Sequence, residues 1–359
     1  MKTHTVTNII VASSTEKFLW DEYVLRHPHG IAYQLFALQE AIEKAFGFKC
    51  IYLMAMNENR VQGILPLVHV HAPGLKGSLV SLPYCDAGGI LADSDSIHTR
   101  LLLHALSLAK EMGISRVPVR SIVPFAGINP DLTRHPGKVR LVLSLPDHSD
   151  KLLAGFKAKV RSQIKKPLKD GLTFHMGGRE LCRPFFRIFA ENMRDLGSPV
   201  HSFNWIQQVM KTFGNRAHIG VVRLSDRTPA AAGILLCHPA RVSIPWASSL
   251  RRCNALNPNM LLYWHFLKFS TNAGYPVFDF GRSTPREGTF RFKKQWGALP
   301  EPLHWGEFSM ADNQKIVCHG IQNSTGVSNK REFLARGIMT MPLSLSTCLG
   351  TIARRFITL

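Results

Sequence analysis

One pattern in this sequence occurs twice. Ile51 to Val70 reads as a strand, the polar turn Asn57-Glu58-Asn59-Arg60, and a second strand opened by Gly63-Ile64-Leu65. Ile219 to His238 repeats it around Ser225-Asp226-Arg227, with Gly233-Ile234-Leu235 in the matching place. Two apolar runs around a short polar turn predict an antiparallel hairpin. A helix and then a strand follow each hairpin: Arg100 to Met112 before Gly113-Ile114, and Met260 to Ala273 before Gly274-Tyr275. Gly113 and Gly274 stand where a helix C-terminus favours glycine, because a residue without Cβ takes left-handed backbone at little cost. A chain that spells hairpin, helix, strand twice is confined to an α/β (α+β) architecture, mixed sheets flanked by helices, in two similar halves.

The length, 359 residues, suits two such halves and an appendage, since domains run to about 100–200 residues. The boundary is expected near Pro146-Asp147-His148-Ser149, giving domains over 1–146 and 147–305 and a basic, partly helical tail over 306–359. Past the boundary, Asp150 to Gly171 predicts one long helix with Leu152, Leu153, Phe156, Val160, Ile164 and Leu168 at helical spacing. Between them stand Lys157, Lys159, Arg161, Lys165, Lys166 and Lys169, against the single nearby Asp170. Two readings stand, a solvated face or an anion-binding face; the charges are too one-sided for i,i+4 pairing. Cys182 to Leu196 and Asn204 to Phe213 continue as helices with aromatic core faces. Asn313 to Asn329 reads as exposed loop. Arg331 to Leu359 alternates apolar clusters with Arg336, Arg354 and Arg355, next to Lys330. That tail is a helical arm packed on the body or a basic amphipathic segment on an anionic membrane surface.

Lys plus Arg number 44 and Asp plus Glu 24, a formal charge of +20, which favours an anionic partner: nucleic acid, a phosphorylated cosubstrate or an acidic leaflet. The apolar share of 45% supports a real core and excludes wholesale disorder. Near the start only Asn8 to Ala12 is apolar, too short for a signal peptide or a membrane span, so a cytoplasmic location is expected, with the tail as the candidate peripheral contact to the inner membrane. Seven cysteines without a C-x-x-C pair predict reduced thiols, mostly small buried hydrophobes. His27-x-His29 and His69-x-His71 lack a third ligand, so no metal is expected. G-x-S-x-G, Walker A, G-x-G-x-x-G and H-E-x-x-H are all missing, which removes support for elbow hydrolases, P-loop and Rossmann enzymes.

Three stretches of the second half could carry chemistry. Ser243 to Ser249 is an apolar strand ending in hydroxyls, followed by Arg251-Arg252 and Asn257-Pro258-Asn259-Met260. Asn257 suits an N-cap and Pro258 a first helical residue, and a helix start behind a strand offers backbone N–H groups to an anion. Ordinary capping would look the same. Val277 to Ser283 buries Asp279 in an apolar strand, which requires a partner such as Arg282 or a backbone donor. Support of the following loop is the first role for Asp279 and a general base the second. Gly288 to Gly297 interleaves Arg291, Lys293 and Lys294 with Phe290, Phe292 and Trp296. It reads as a phosphate or base clamp or as an amphipathic edge strand.

Four motifs in order, Trp246-Ala-Ser-Ser-Leu-Arg-Arg, Asn254 to Trp264, Phe278-Asp-Phe-Gly-Arg-Ser-Thr284 and Gly288 to Gly297, resemble the FemAB-like acyltransferases, in particular those associated with exosortase and PEP-CTERM systems. Pro83-Tyr84-Cys85-Asp86-Ala87-Gly88-Gly89 and Lys159-Val160-Arg161 resemble the same group, so the likeness covers roughly Thr7 to Trp305. It implies two tandem GNAT-like domains, and transfer of an acyl or aminoacyl group to an amine from acyl-CoA or aminoacyl-tRNA, with no tightly bound cofactor. The donor's phosphates would sit along Ser248 to Met260, yet that stretch lacks the Gly-rich loop of the GNAT pattern and offers Ser249-Leu250-Arg251-Arg252-Cys253. The departure leaves acyl-CoA and tRNA both open.

The implied mechanism is direct transfer in a cleft between the domains, where an amine attacks the donor carbonyl and cations and backbone donors stabilise the oxyanion. Catalytic roles would fall to Asp279, Arg282 and Lys293. Tyr84, Asp86, Arg161, Trp246, Ser248, Asn257, Asn259, Ser283, Lys294 and Gln295 would bind substrate, with Tyr84 and Trp246 lining the cleft. The implied acceptor is an anionic sugar or lipid-linked precursor of the cell envelope or an exopolysaccharide. The rival reading is a non-enzymatic RNA-binding or membrane-surface protein on the same scaffold.

Overall fold

The computed structural model describes residues 7–72, 74–311, 315–320 and 329–358. Of the loop expected over Asn313 to Asn329, residues 313–314 and 321–328 lie outside that set. The chain divides into unit 1, Met1–Val139 with Pro302–Asn323 and Phe356–Leu359, and unit 2, Arg140–Glu301 with Ser324–Arg355.

Unit 1 contains β1 (Asn8–Ala12), α1 (Lys17–Arg26), α2 (Phe36–Phe46), β2 (Lys49–Asn57), β3 (Arg60–Val70), β4 (Ser78–Ser81), β5 (Leu91–Ala92), α3 (Asp95–Glu111), β6 (Val117–Ser121) and the single turn α4 (Pro130–Thr133). The chain passes along β7 (Arg134–Ser144) into unit 2. There follow α5 (Ser149–Gly155), α6 (Ala158–Lys169), β8 (Thr173–Gly177), α7 (Cys182–Asp195), α8 (Phe203–Phe213), β9 (Ala217–Arg223), β10 (Pro229–His238), β11 (Arg241–Ser249), α9 (Pro258–Asn272), β12 (Val277–Ser283) and α10 (Gly288–Lys294). The strand β13 (Leu299–Met310) leads back to unit 1 and β14 (Ile316–His319), and the helices α11 (Asn329–Thr340) and α12 (Leu343–Phe356) end the chain. Unit 1 holds the sheet β1-β2-β3-β4, with β5 on β3, and the antiparallel pairs of β13 with β6 and β14; the strands of unit 2 run β7-β12-β11-β10-β9-β8.

The repeated pattern is the repeated structure. The first hairpin is β2 with β3, turning at Glu58 (φ 52), and the second is β9 with β10, turning at Arg227 (φ 68). In unit 1 the helix after the hairpin is α3 and in unit 2 it is α9, ending at Gly113 (φ 68) and Gly274 (φ 80). The shared Gly-Ile-Leu has a packing cause. A Cβ at Gly63 would lie 2.7 Å from Ile97 of α3, and one at Gly233 would lie 2.8 Å from the Phe266 ring of α9. Both glycines let the helix lie directly on the sheet.

Three local expectations are corrected. The helix expected over Asp150 to Gly171 is two helices, because Phe156 is extended (ψ 147) and seats its ring edge-on against Trp264 and Trp296. Gly288 to Lys294 is the helix α10 rather than an edge strand. Within the expected loop after Asn313, Ile316–His319 is a strand paired to β13, with Phe308 opposite Cys318. Of the cysteines, Cys50, Cys85, Cys182, Cys237 and Cys253 are buried, and all seven are free thiols. Burial pushes Cys182 and Cys237 up to about 11, so both stay protonated at neutral pH.

Burial also dominates the histidines. His265 stacks flat on Phe174 at 4.2 Å, and desolvation pushes it down to about 4, as it does His98 in unit 1. The folded chain therefore refuses protons that the unfolded chain accepts below about 6.5, so stability falls as pH drops from about 6.5 toward 4. The urea midpoint is expected to be lower at pH 5 than at pH 7, and His265→Phe, which keeps the stack, to shrink that difference. Equal pH slopes in the two proteins would refute the assignment.

Candidate active site

The strands β11 and β12 are parallel and adjacent, yet they pair only at Val242–Phe278 and Ser243–Asp279. Beyond those pairs β11 continues to Ser249 and β12 to Ser283, so the two strands part like a fork. The cause lies in β11. Against β10, Ile234 faces Trp246 and Leu236 faces Ser243, which leaves Ile244 and Pro245 opposite Leu235 alone. That bulge turns β11 away from β12, and Pro245 has no N–H to continue a ladder. The backbone groups that would have joined the two strands are left for something other than a strand.

The end of β11 is held by two neighbouring helices. Asn192 Nδ2 of α7 donates to Ser248 Oγ at 3.1 Å, and Asn259 Nδ2 of α9 donates to Ser249 Oγ at 2.9 Å. Between them, Trp246 stands edge-on to Trp205 at 6.1 Å and to His201 at 5.9 Å. His201 accepts from Arg354 Nε of α12 at 3.2 Å, and burial followed by that cation holds it far below the usual imidazole range. One face of the tail therefore packs on unit 2.

After β11 comes a short 3-10 stretch, Arg251–Leu256, that runs into α9 through Asn257 (φ 53). Asn257 occupies the N-cap position without making a side-chain cap bond. Pro258 has no N–H, and the N–H groups of Asn257 and Met260 donate to Asn254 O and Asn257 O, each at 3.0 Å. The start of α9 is thus a weaker anion site than Asn-Pro-Asn suggests. Cationic side chains stand beside it: Arg251 and Arg252 are exposed, and Arg252 pairs with Glu191.

The buried Asp279 is satisfied. Its Oδ1 accepts from Gly281 N–H at 2.8 Å and its Oδ2 pairs with Arg140 at 3.2 Å; Arg140 also pairs with Glu301. The cation that meets Asp279 is Arg140 of β7, since Gly281 (φ 71) turns the chain before Arg282. Asp279 thereby ties Gly281 and Arg140 together at the end of β12. Arg241, beside this group on β11, keeps Nε and Nη1 buried without a hydrogen-bond partner.

At the far end of β12, Lys293 Nζ of α10 donates to Gly281 O at 3.2 Å and Arg282 O at 2.8 Å. The Gln295 amide lies 3.5 Å from Met260 Sδ in the first turn of α9, and Lys294 lies over the Phe290 ring at 5.9 Å. An aromatic stack joins these elements: Tyr263 of α9 lies flat on Phe280 at 5.7 Å and edge-on to Phe292 at 4.9 Å. Around it, Asn259 Oδ1, Ser283 Oγ and Trp296 Nε1 are buried without a partner, which is where a polar ligand or water is expected.

Of the residues singled out in the sequence, Trp246, Ser248, Asn257, Asn259, Asp279, Arg282, Ser283, Lys293, Lys294 and Gln295 lie on the two strands of the fork, the start of α9, or α10 with the residue after it. Arg161 does not join them by any described contact; its guanidinium donates to Ala154 O and Phe156 O and closes the end of α5. Tyr84 and Asp86 belong to unit 1, where Tyr84 (φ 70) packs on Phe46 at 5.2 Å and Asp86 O accepts from the Trp305 indole at 2.8 Å. Sequence reading missed Arg140, Asn192 and Arg241. A cation in an apolar strand was the one available signal for Arg140 and Arg241, and Asn192 carried none. Among the described residues no three His, Cys, Asp or Glu side chains are placed to hold a metal ion.

Residues 154–294, inside unit 2, match the family profile described as acetyltransferase (GNAT) domain. No curated protein sequence matches the chain. Among solved structures the chain is similar to FemX (TM-score 0.66, 15% identity, 82% of this chain and 95% of that one). It is also similar to a tandem GNAT protein from the clavulanic acid biosynthesis pathway (TM-score 0.56, 13% identity, 89% and 100%). A third match is L-PGS from Bacillus licheniformis (TM-score 0.55, 12% identity, 92% and 98%). The fold is that of tandem GNAT-like domains, mixed sheets flanked by helices.

Proposed function

We propose that the chain is an acyltransferase that moves an acyl group from acyl-CoA to an amine at the fork of unit 2. The observation that carries this reading is the pair β11 and β12, joined at Val242–Phe278 and Ser243–Asp279 and separate afterwards, within the segment that matches an acetyltransferase domain. An extended thioester donor can hydrogen-bond to the backbone of β11 as a strand would. Its phosphates would meet Arg251 and Arg252. The amine lone pair attacks the thioester carbonyl, the C–S bond breaks, and the proton lost from nitrogen leaves with the thiolate as free CoA thiol. Backbone donors of the fork stabilise the oxyanion, and proximity supplies much of the rate.

The acceptor we favour is an amine on an anionic precursor of the cell envelope or of an exopolysaccharide, as the likeness to exosortase-associated proteins implies. Arg282, Arg286, Arg291 and Lys294 against Glu287 alone support an anionic acceptor at that edge. One observation favours aminoacyl-tRNA as a second donor class: α6 packs Val160, Ile164 and Pro167 inward and exposes Lys157, Lys159, Lys165, Lys166 and Lys169 around its start and outer face.

The test is thermal stabilisation by acetyl-CoA, longer acyl-CoAs and aminoacyl-tRNA at two salt concentrations, followed by thiol release from the best acyl-CoA with a set of amines. A ligand of the native state raises the melting temperature. A salt-resistant shift with one acyl-CoA, and thiol release that requires an amine, is the expected result. A shift with RNA alone, lost at high salt, would move the reading to a tRNA donor. Lys293→Ala is expected to lower kcat roughly tenfold to a hundredfold, because freeing the carbonyls of Gly281 and Arg282 lets the end of β12 drift by a fraction of an ångström. Unchanged kcat at an unchanged melting temperature would remove Lys293 from the site.

A further inference from the structure

The last helix of the chain is built inside out. The face of α12 that packs on unit 2 is small and polar: Ser346 and Gly350 are buried, and a Cβ on Gly350 would lie 3.0 Å from Val200 N. The opposite face carries Leu345 (47% exposed), Leu349 (47%) and Ile352 (60%), with Cys348 exposed among them. Positions i, i+3, i+4 and i+7 form one stripe about 100° wide on a helix, so these four side chains share an outward face. A helix stabilised only by its fold would turn that stripe inward. The preceding helix, α11, packs Ala335 against Gly197 and likewise exposes Phe333 (78%) and Leu334 (63%).

The charges described on these helices are of one sign: Arg336, Arg355 and Arg354, the last of which turns in to His201. Arg336 is exposed one turn beyond Phe333, and Arg355 is exposed at the edge of the α12 stripe. A protein partner would match an apolar stripe with an apolar groove and needs no such charge. An anionic bilayer matches both features, because aliphatic side chains enter the acyl boundary while arginines reach the phosphates.

We infer that the outward stripe of α12, with Phe333 and Leu334 of α11, is a surface that docks on an anionic membrane. This does not depend on the acyl-transfer reading. It would bring unit 2 to a lipid-water boundary.

The test is co-sedimentation of the full chain with vesicles of phosphatidylcholine alone or mixed with phosphatidylglycerol, at low and high salt. Binding to the mixed vesicles that weakens with salt is expected. Leu349→Glu with Ile352→Glu, both on the outward face, is expected to lower partitioning roughly tenfold or more at an unchanged melting temperature. Failure of the unaltered protein to sediment with the anionic vesicles would overturn the inference. So would equal binding by the doubly substituted protein, or a concentration-dependent dimer that the double substitution dissolves, which would assign the stripe to a second copy of the chain.

Discussion

Arg140→Met is expected to destabilise unit 2 by about 3 kcal/mol, because breaking a buried ion pair leaves its partner charged and unpaired. The Arg140 side chain is 7% exposed and joins Asp279, 12% exposed, to Glu301. Glu301, half exposed, can turn to water when the cation is lost. Asp279 cannot, and it keeps only the Gly281 N–H. Removing one member of a buried pair costs about 3–5 kcal/mol. Arg241 sets the lower end of that range: it follows directly on Ala240 at the start of β11, two residues before the Ser243 that pairs with Asp279, and it has two buried nitrogens without a partner. A swing of that guanidinium toward Asp279 would recover part of the loss. The readout is the urea midpoint followed by tryptophan fluorescence, which weighs on unit 2 because Trp205, Trp246, Trp264 and Trp296 of the six tryptophans lie there. Arg140→Met with Asp279→Leu is expected to regain most of the stability, since an apolar pair of similar volume replaces a buried ion pair at little cost. A double variant as unstable as the single one would show that Asp279 supports the β12 end through Gly281 rather than through the pair.

The expectation that fared best was the one with a period. The hairpins around Glu58 and Arg227 and the helices ending at Gly113 and Gly274 were legible because each rests on contacts a few residues apart. Long-range contacts were not legible. The pairing of Arg140 with Asp279 spans 139 positions, and nothing near either residue announces the other. Local pattern also misled at Phe156. Its spacing fits the apolar stripe of a single helix, yet tertiary packing of its ring against Trp264 and Trp296 breaks the helix there. At Gly288 to Gly297, alternation of cations with aromatics over a few residues suits a strand as well as a helix. The aromatic stack on Tyr263 decided for α10, with Phe292 inward and Lys294 outward. The fork was hidden for a further reason. A bulge depends on which residue of β10 faces which of β11, and the only local trace of it was Pro245 inside an apolar strand.

Phe266→Ala is expected to be among the most damaging single truncations in unit 2, at about 3–5 kcal/mol. Its ring is fully buried and fills the space above two glycines on neighbouring strands: a Cβ on Gly220 would lie 2.6 Å from it, and one on Gly233 2.8 Å. Those strands cannot close the gap, because Gly220 and Gly233 pair with each other in register beneath α9. The cavity therefore persists, and the cost approaches the upper end of the range. The ring also fixes the height of α9 over the sheet, and the Asn259 contact with Ser249 at the fork depends on that height. Gly220→Ala acts in the opposite sense, by overpacking, and is expected to cost about 1–3 kcal/mol. In the double variant, Gly220→Ala with Phe266→Ala, the new methyl enters the space the ring left, so the loss should fall below the sum of the two. Urea midpoints at constant m-value report all three. Strictly additive losses would mean that the ring and Gly220 do not share one space.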